Sequence, residues 1–298
     1  MKKFQQHVRL EGSQRKPPSD ARTRTINPEE VIEVTVRLKG KAPIPDLKAG
    51  KKNALSPFTR EKFAIQYGAD QPDIILLESF AHEFGLTITQ ISLPRRTVVL
   101  RGPIRQMAQA FRVRLAHYRR PDGTEYRGRS GHIYIPKELV EKITGVFGLD
   151  NRPVATPKFK VGKSVDGHFA PQAQGTSYNP TDIALFYGFP KGSGTGQGIA
   201  LVELGGGYET ADLATYFSGL GVNQPSVTAI SVDGGTNDPS TPDSADGEVM
   251  LDIEVVGAVS LAAAIHVYFA PNTDQGVAWE NLIMQNYGSV SRLSLKEA

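Results

Sequence analysis

The sequence predicts two successive domains, an α+β domain followed by an α/β domain with a parallel sheet. In the first half, strands and helices follow one another without regular alternation, whereas in the second half continuous apolar strands alternate with helices. The charge changes sign in the same region, because residues 1–163 carry 31 Lys and Arg against 16 Asp and Glu, and residues 164–298 carry 3 against 15. A length of 298 residues is sufficient for two hydrophobic cores.

The first domain is predicted over residues 30–155, after a basic N-terminus at 1–29 whose composition is typical of disorder. Val31–Leu38 alternates apolar and polar residues, as a half-buried strand does. Pro72 and Asp73 favour the first turn of a helix that ends before Gly85. The other elements predicted here are helices at 59–67, 104–111 and 136–147, and strands at 86–92, 97–100, 114–118 and 133–135.

A linker rich in Pro and Gly is predicted at 156–176, before a second domain at 177–276. Gly198–Leu204 is a continuous apolar strand that ends in three glycines, and functional sites form in loops at the carboxyl ends of such strands. Residues 277–298 look like a divergent tail. The other elements predicted in the second domain are helices at 211–219 and 248–262, and strands at 226–232 and 264–270.

Glu248 and Asp252 are the most informative polar residues of the chain. Their spacing of four places both carboxyls on one face of a helix. The surrounding residues are apolar nearly all round, which predicts a buried helix. Burial of two carboxylates is costly unless they have partners or share a proton, so the pair is a candidate for acid–base chemistry. A solvated helix face is the alternative interpretation.

Several blocks of sequence, in the same order, resemble the sedolisins, which are serine-carboxyl peptidases, and most closely their kumamolisin-like branch. The resemblance spans roughly residues 30–276. The blocks are Phe111–Val113, Tyr126–Arg129, Gly145–Pro153, Ser177–Pro190, Ala200–Tyr208, Asp246–Glu254 and Val267–Asp274.

The resemblance implies a fold and a set of catalytic roles. It implies an α+β pro-domain of the ferredoxin-like, subtilisin-propeptide type, followed by an incomplete α/β subtilisin-like domain. Glu248 matches the family's general base, Asp252 the carboxyl that orients the base, and Glu203 a further acid of the same network. A serine hydroxyl needs a base, and a Glu stays ionised in acid where a His would be protonated. An acid pH optimum is therefore implied.

The sequence departs from the family at the nucleophile. The family's Ser-Gly-Thr-Ser motif, the aspartate of its oxyanion hole and its calcium site would all lie beyond Ala298. The expectation is a truncated precursor without activity. The near matches Gln174–Ser177 and Ser193–Gly196 align to the start of the second domain, far from the nucleophile position. The serines of the tail, at 289, 291 and 294, have no motif around them.

The partners implied are peptide or protein substrates of the parent enzyme and an intramolecular contact between the pro-domain and the catalytic domain. The opposite charges of the two halves favour that internal contact over nucleic acid. As an alternative function, the pro-domain would inhibit or chaperone a full-length peptidase. No apolar run is long enough to cross a membrane, and no signal peptide is visible; extracellular localisation follows from the resemblance alone.

No cofactor or metal site is predicted in the chain. Gly205–Gly207 lacks the G-x-G-x-x-G spacing of a dinucleotide loop, and Asp238, Asp243 and Asp246 lack the spacing of an EF-hand, so a solvated loop is expected there. The histidines at 82, 117, 132 and 266 have no ligand spacing. Arg112–Arg129 is expected to form a basic face, and a halved second domain to expose apolar helix faces and a strand edge.

Overall fold

The computed structural model describes residues 3–19, 21–24, 26–43, 60–156, 164–165, 168–169, 178–190, 192–240, 245–276 and 292–293. These residues form two compact units. The first contains the described residues up to Val154 together with 273–276, and the second contains those of 155–272 together with 292–293. Both units mix helices and strands, as the sequence predicts, so the chain is of the mixed α/β class.

In the first unit, a four-stranded antiparallel sheet carries the core. The strands are β1 (His7–Arg9), β2 (Ala21–Arg24), β3 (Val31–Leu38), β4 (Thr87–Ser92), β5 (Thr97–Pro103), β6 (Leu115–Arg119), β7 (Glu125–Arg129), β8 (Tyr134–Pro136) and β9 (Ile143–Phe147), and the helices are α1 (Arg60–Tyr67), α2 (Gln71–Glu83) and α3 (Ile104–Phe111). The sheet order is β4-β5-β3-β9, and every neighbouring pair is antiparallel. Val34 and Val36 of β3 share a buried cluster with Leu77 and Phe80 of α2 and Phe111 of α3.

The N-terminal segment differs from the disorder predicted for residues 1–29. β1 pairs with β8, and β2 pairs with β6. Phe4 and Leu10 are buried in the core cluster, and the Phe4 ring meets the Phe80 ring edge to face with centroids 5.7 Å apart. The composition of the segment is polar, but these two apolar residues and the strand pairing are sufficient to hold it on the domain.

The helix predicted at 136–147 is wrong. A single 3-10 turn at Lys137–Leu139 is followed by β9, which pairs with β3. Ile143, Thr144 and Val146 are β-branched and favour a strand, and Gly145 leaves room for the Phe147 ring, which would lie 2.6 Å from a Cβ atom there. β7 was missed as well; it forms the hairpin with β6, whereas β8 pairs with the N-terminal β1.

The second unit contains a parallel sheet in the order β13-β14-β12-β15. The linker predicted at 156–176 and the tail at 277–298 lie largely outside the described residues. Their described parts are the paired β10 and β11 and the short β15, which pairs with β12. The elements are β10 (Ser164–Val165), β11 (His168–Phe169), α4 (Pro180–Phe186), β12 (Gly198–Glu203), α5 (Thr210–Gly219), β13 (Val227–Ser231), α6 (Asp246–Val259), β14 (Ala264–Phe269) and β15 (Arg292–Leu293).

Apolar side chains remain exposed on the helices of the second unit. Leu185 and Phe186 of α4 are 81% and 70% exposed, and Leu251 and Val255 of α6 are also exposed. The composition of α6 predicted burial on all sides, but the helix is buried only along the face that carries Val249 and Ile253. No helix within the described ranges is long and apolar enough to cross a membrane.

Candidate active site

Glu203 lies at the carboxyl end of β12, an inner strand of the sheet in the second unit. It is the last residue of β12, where it stands opposite Phe269 of the parallel strand β14. Only 6% of Glu203 is exposed. A carboxyl group at this position is held on a rigid strand, at the edge of the sheet where parallel α/β domains place their sites.

The first turn of α6 lies at the same edge of the sheet. Because α6 connects β13 to the neighbouring parallel strand β14, it runs back along the sheet and begins near the strand ends. The loop after Glu203 touches it directly. A Cβ atom on Gly206 would lie 2.7 Å from the carbonyl carbon of Ala245, and the φ angle of Gly206 is +73°. Glycine is therefore required where the two segments meet.

Asp246 joins the glycine loop to the start of α6. Its Oδ1 accepts a hydrogen bond from the backbone N–H of Gly207 at 2.8 Å, and its Oδ2 accepts one from the N–H of Ser240 at 2.6 Å. Asp246 is 7% exposed, so the solvated loop expected for this residue is wrong. A negative charge in the first turn also suits the helix dipole. The spacing of Asp246 from Asp238 and Asp243 did not predict this role. Its position just before the start of the predicted helix is the signal that could have done so.

Asn237 fixes the end of the same loop. Its side-chain oxygen accepts the N–H of Tyr208 at 2.8 Å, and its amide nitrogen donates to the Tyr208 carbonyl at 3.1 Å. The Tyr208 ring stacks on Phe269, and burial raises the pKa of the Tyr208 hydroxyl. Two adjacent residues of the loop that follows Glu203, Gly207 and Tyr208, are thus held by the side chains of Asp246 and Asn237.

Glu248 and Asp252 occupy one face of α6, one turn apart, as their spacing predicts. Both side chains are half-buried rather than buried. Both carboxyl groups are therefore partly accessible to water, while the helix keeps the separation of the two residues fixed. The structure brings the start of α6 and the end of β12 to the same sheet edge, which the sequence pattern alone did not show.

Glu254 lies on the third turn of α6, two residues after Asp252, and is half-buried. Burial raises its pKa above the ordinary value, and the nearby Asp212 carboxylate of α5 raises it further. Burial, and to a lesser extent the nearby Glu254 carboxylate, also raises the pKa of Tyr216. This is a second set of interacting acidic groups, on another face of α6 from Glu248 and Asp252.

The remaining polar residues named from the sequence are the histidines, and the arginines of the first half. Within the described ranges, no three His, Cys, Asp or Glu side chains lie close enough together to hold a metal ion. Arg127 and Arg129, expected on a basic face, are buried instead. Arg127 donates to the carbonyls of Gly148 and Leu149, and the fully buried Asp150 accepts the backbone N–H of Arg129.

These buried contacts explain two of the sequence blocks. Tyr126–Arg129 lies within β7 and contains the two arginines. Gly145–Pro153 contains the carbonyls and the Asp150 carboxylate that accept their hydrogen bonds. Arg152 closes the group, since its guanidinium donates to Asp150 at 2.6 Å. The serine segments at 174–177 and at 289–294 lie outside the described residues, apart from 292–293.

Comparison with known proteins gives the family. Residues 21–152 match the family model described as Pro-kumamolisin, activation domain. Kumamolisin of Bacillus sp. (strain MN-32) is 45% identical over 236 residues, which cover 76% of this chain. The chain belongs to the sedolisin family. The resemblance predicted from the sequence is confirmed.

Two further relatives lie within the same family. Tripeptidyl-peptidase sed5 of Aspergillus fumigatus is 28% identical over 305 residues and 90% of this chain, and sedolisin of Pseudomonas sp. (strain 101) is 22% identical over 252 residues and 79% of this chain. The chain spans about half the length of these proteins, namely 43% of kumamolisin, 51% of the tripeptidyl-peptidase and 42% of sedolisin.

Proposed function

We propose that this sedolisin-family chain belongs to the precursor of a secreted, acid-acting serine endopeptidase. In this proposal Glu248 is the general base, Asp252 orients it, and Glu203 is a further acid of the network. One observation carries the proposal: Glu203 and the first turn of α6 lie at the same carboxyl edge of a parallel sheet, held together by the contacts of Gly206 and Asp246.

The proposed reaction assigns each proton and bond. Glu248 takes the proton of a serine hydroxyl, whose oxygen attacks the peptide carbonyl, and then gives that proton to the departing amine. Water, activated by the same carboxylate, releases the acyl group from the serine. Because Asp252 lies one turn from Glu248 on the same helix face, it is placed to hold the base in its reactive orientation.

The nucleophile is not supplied by a recognisable motif in these 298 residues. The proposal therefore includes the expectation that a polypeptide of these residues alone is inactive. No step of the reaction passes through a metal, and within the described ranges no group of side chains forms a site for the calcium ion that the resemblance implies further along the family's sequence.

The first unit is proposed to act as the activation domain, covering and assisting the peptidase part. Its elements β3, α2, β4, β5, α3 and β9 follow the order strand, helix, two strands, helix, strand, and its sheet places the last strand beside the first. This order supports the ferredoxin-like classification that the resemblance implies. An acidic partner is favoured because the first half of the chain is basic.

A chimera tests the proposal. Residues 1–276 would be joined to the C-terminal part of the Bacillus kumamolisin, and casein hydrolysis measured from pH 3 to 7. The chimera should be active in acid, and Glu248→Gln should lower kcat by roughly 10²- to 10⁴-fold, the range for loss of a general base. Glu254→Gln is the matched control, since it removes a carboxyl from another face of the same helix.

Two results contradict the proposal. One is equal activity of the Glu248→Gln and Glu254→Gln chimeras, which would remove Glu248 from the reaction. The other is turnover by the 298-residue polypeptide itself that Glu248→Gln abolishes, since this would show that one of its own serines is the nucleophile.

A further inference from the structure

A polar cavity in the first unit has no assigned role. Its volume is 490 Å³, and it lies between the segment 10–16 and four consecutive residues of β9, at 144–147. The segment is held at a distance from β9 by its own pairing, because Leu10 donates to the Ile133 carbonyl and Arg15 bridges Gly131. The rim residues Glu11 and Lys16 are exposed, so the cavity is open to solvent.

The cavity already binds one carboxylate. Asp274 reaches it from the far end of the sequence; its Oδ2 accepts a hydrogen bond from Arg15 at 3.1 Å, and its Oδ1 accepts one from the backbone N–H of Gly148 at 2.9 Å. Gln275 is fixed beside it, donating to the Thr35 hydroxyl at 2.9 Å. The walls thus recognise a carboxylate by a guanidinium and a backbone amide together.

Positive charge remains after this pairing. Arg15 is matched by Asp274, and Arg152 is matched by Asp150. Arg129 also lines the cavity and is 3% exposed, yet its Nε donates no hydrogen bond to the described residues. Its Nη1 donates to a backbone carbonyl, that of Gly131. A buried guanidinium with an unused donor is costly unless an acceptor is supplied.

The electrostatic environment of Arg129 also favours the binding of an acceptor that carries negative charge. Burial lowers its pKa, and the neighbouring Arg15 and Arg152 guanidiniums lower it further, against the opposing effect of Asp150 and Asp274. An additional anion beside Arg129 would relieve this repulsion. Lys16, exposed on the rim, adds a second positive charge at the entrance, and Glu11 is the acidic residue that opposes it there.

We propose that this cavity is a binding site for an extended peptide segment that carries a carboxylate, with Arg129 and Lys16 as its charged contacts. Two features favour a peptide over a small inorganic anion. The first is the volume of 490 Å³, which is many times what one anion needs. The second is that β9 is the last strand of its sheet and, within the described residues, pairs with β3 alone. Such a strand offers its backbone to an added strand, while pockets read the side chains. The proposal does not depend on the peptidase assignment.

Binding of two matched peptides to the whole 298-residue protein tests the site. The probes are fluorescein-labelled Ala-Val-Glu-Val-Ala-amide and the same peptide with Gln in place of Glu. Their binding is measured by fluorescence anisotropy at pH 6.5. The Glu peptide should bind about tenfold or more tightly than the Gln peptide, as expected for a charge-assisted hydrogen bond. Arg129→Gln and Lys16→Gln should remove most of that difference.

Lys41→Gln is the control, because Lys41 is also exposed in the first unit but does not line the cavity. It should leave binding unchanged. Arg129→Gln could fail to fold, which circular dichroism would show. Lys16→Gln then tests the site alone, because Lys16 is exposed and its substitution should leave the fold intact. Equal binding of the two peptides, or no saturation up to about 1 mM, overturns the proposal. Equal effects of Lys16→Gln and Lys41→Gln overturn it as well. So does displacement of the labelled Glu peptide by inorganic phosphate at the same concentration as by the unlabelled Glu peptide.

Discussion

At the scale of single residues, Asp246 is the side chain that positions the candidate site. It ties the loop after Glu203 to the start of α6, and it does so from a buried position. No chemistry is assigned to Asp246 itself. Its contribution is to keep the strand end and the helix start together, which is a role that depends on geometry rather than on residue type alone.

Asp246→Ala should destabilise the second unit by about 2 kcal/mol, because the buried N–H of Gly207 loses its acceptor. Asp246→Asn, which keeps one acceptor oxygen, should cost less. Urea unfolding measures the change, and hydrogen exchange of the Gly207 amide shows where it arises. Asp238→Ala is the control, since Asp238 is exposed in the same loop; an equal loss in both alanine variants would contradict the role given to Asp246.

Glu254 gives a prediction about pH. Its pKa in the folded protein is raised by burial and by Asp212, so the folded state binds its proton more tightly than the unfolded state does. The ionised form therefore costs stability at pH values above the ordinary Glu pKa, and this cost disappears as the pH falls below the ordinary value of 4.5. Glu254→Gln should stabilise the second unit at pH 7 and have little effect at pH 4.

Thermal unfolding across this pH range measures the gain. Glu209→Gln serves as the matched control, because it removes the same charge from an exposed residue just before α5. A gain from Glu254→Gln that is the same at pH 4 and pH 7 would show that the effect is not electrostatic.

At the scale of elements, the sequence pattern succeeds where an element buries one face and fails where its partner is distant in sequence. β3, α2 and α3 are predicted closely, since their apolar periodicity matches their local structure. β9 was read as a helix because the apolar residues of 136–147 suit either period, and only its pairing with β3, about a hundred residues earlier, decides the outcome. The pair Glu248 and Asp252 was predictable from spacing, whereas the meeting of Gly206 with Ala245 was not.

β1 and the residues before it illustrate the same point. Phe4 is 3% exposed, packs on Phe80, and is held by hydrogen bonds from the N–H groups of Lys3 and Phe4 to Glu83. Phe4→Ala should therefore lower the stability of the first unit by about 3 kcal/mol, as for other buried aromatic truncations. Ile91→Ala on β4, where the side chain is 42% exposed, should change it little.

Denaturant unfolding followed by circular dichroism measures both variants. Equal and small effects would mean that the N-terminal segment does not contribute to the core. A large effect for Phe4→Ala alone would also account for why the polar composition of residues 1–29 was misleading: two buried apolar side chains outweigh many solvated charges.

At the scale of the whole molecule, the chain divides into two units of opposite charge, and it returns to the first unit at 273–276. Expressed as separate polypeptides, residues 1–154 and 155–298 should therefore associate, and the complex should weaken as salt rises, because opposite charges attract and salt screens them. The basic polypeptide alone should also bind DNA, and the acidic one should displace it.

Asp274 distinguishes a specific complex from general charge attraction. It belongs to the acidic polypeptide in sequence but is bound by Arg15 and Gly148 of the basic one. Asp274→Asn should weaken association by about tenfold or more, since a buried, charge-assisted contact is lost, whereas Asp238→Asn removes the same charge from an exposed loop and should have a small effect. Calorimetric titration at two salt concentrations measures both; equal effects of the two substitutions would mean that net charge alone drives the association.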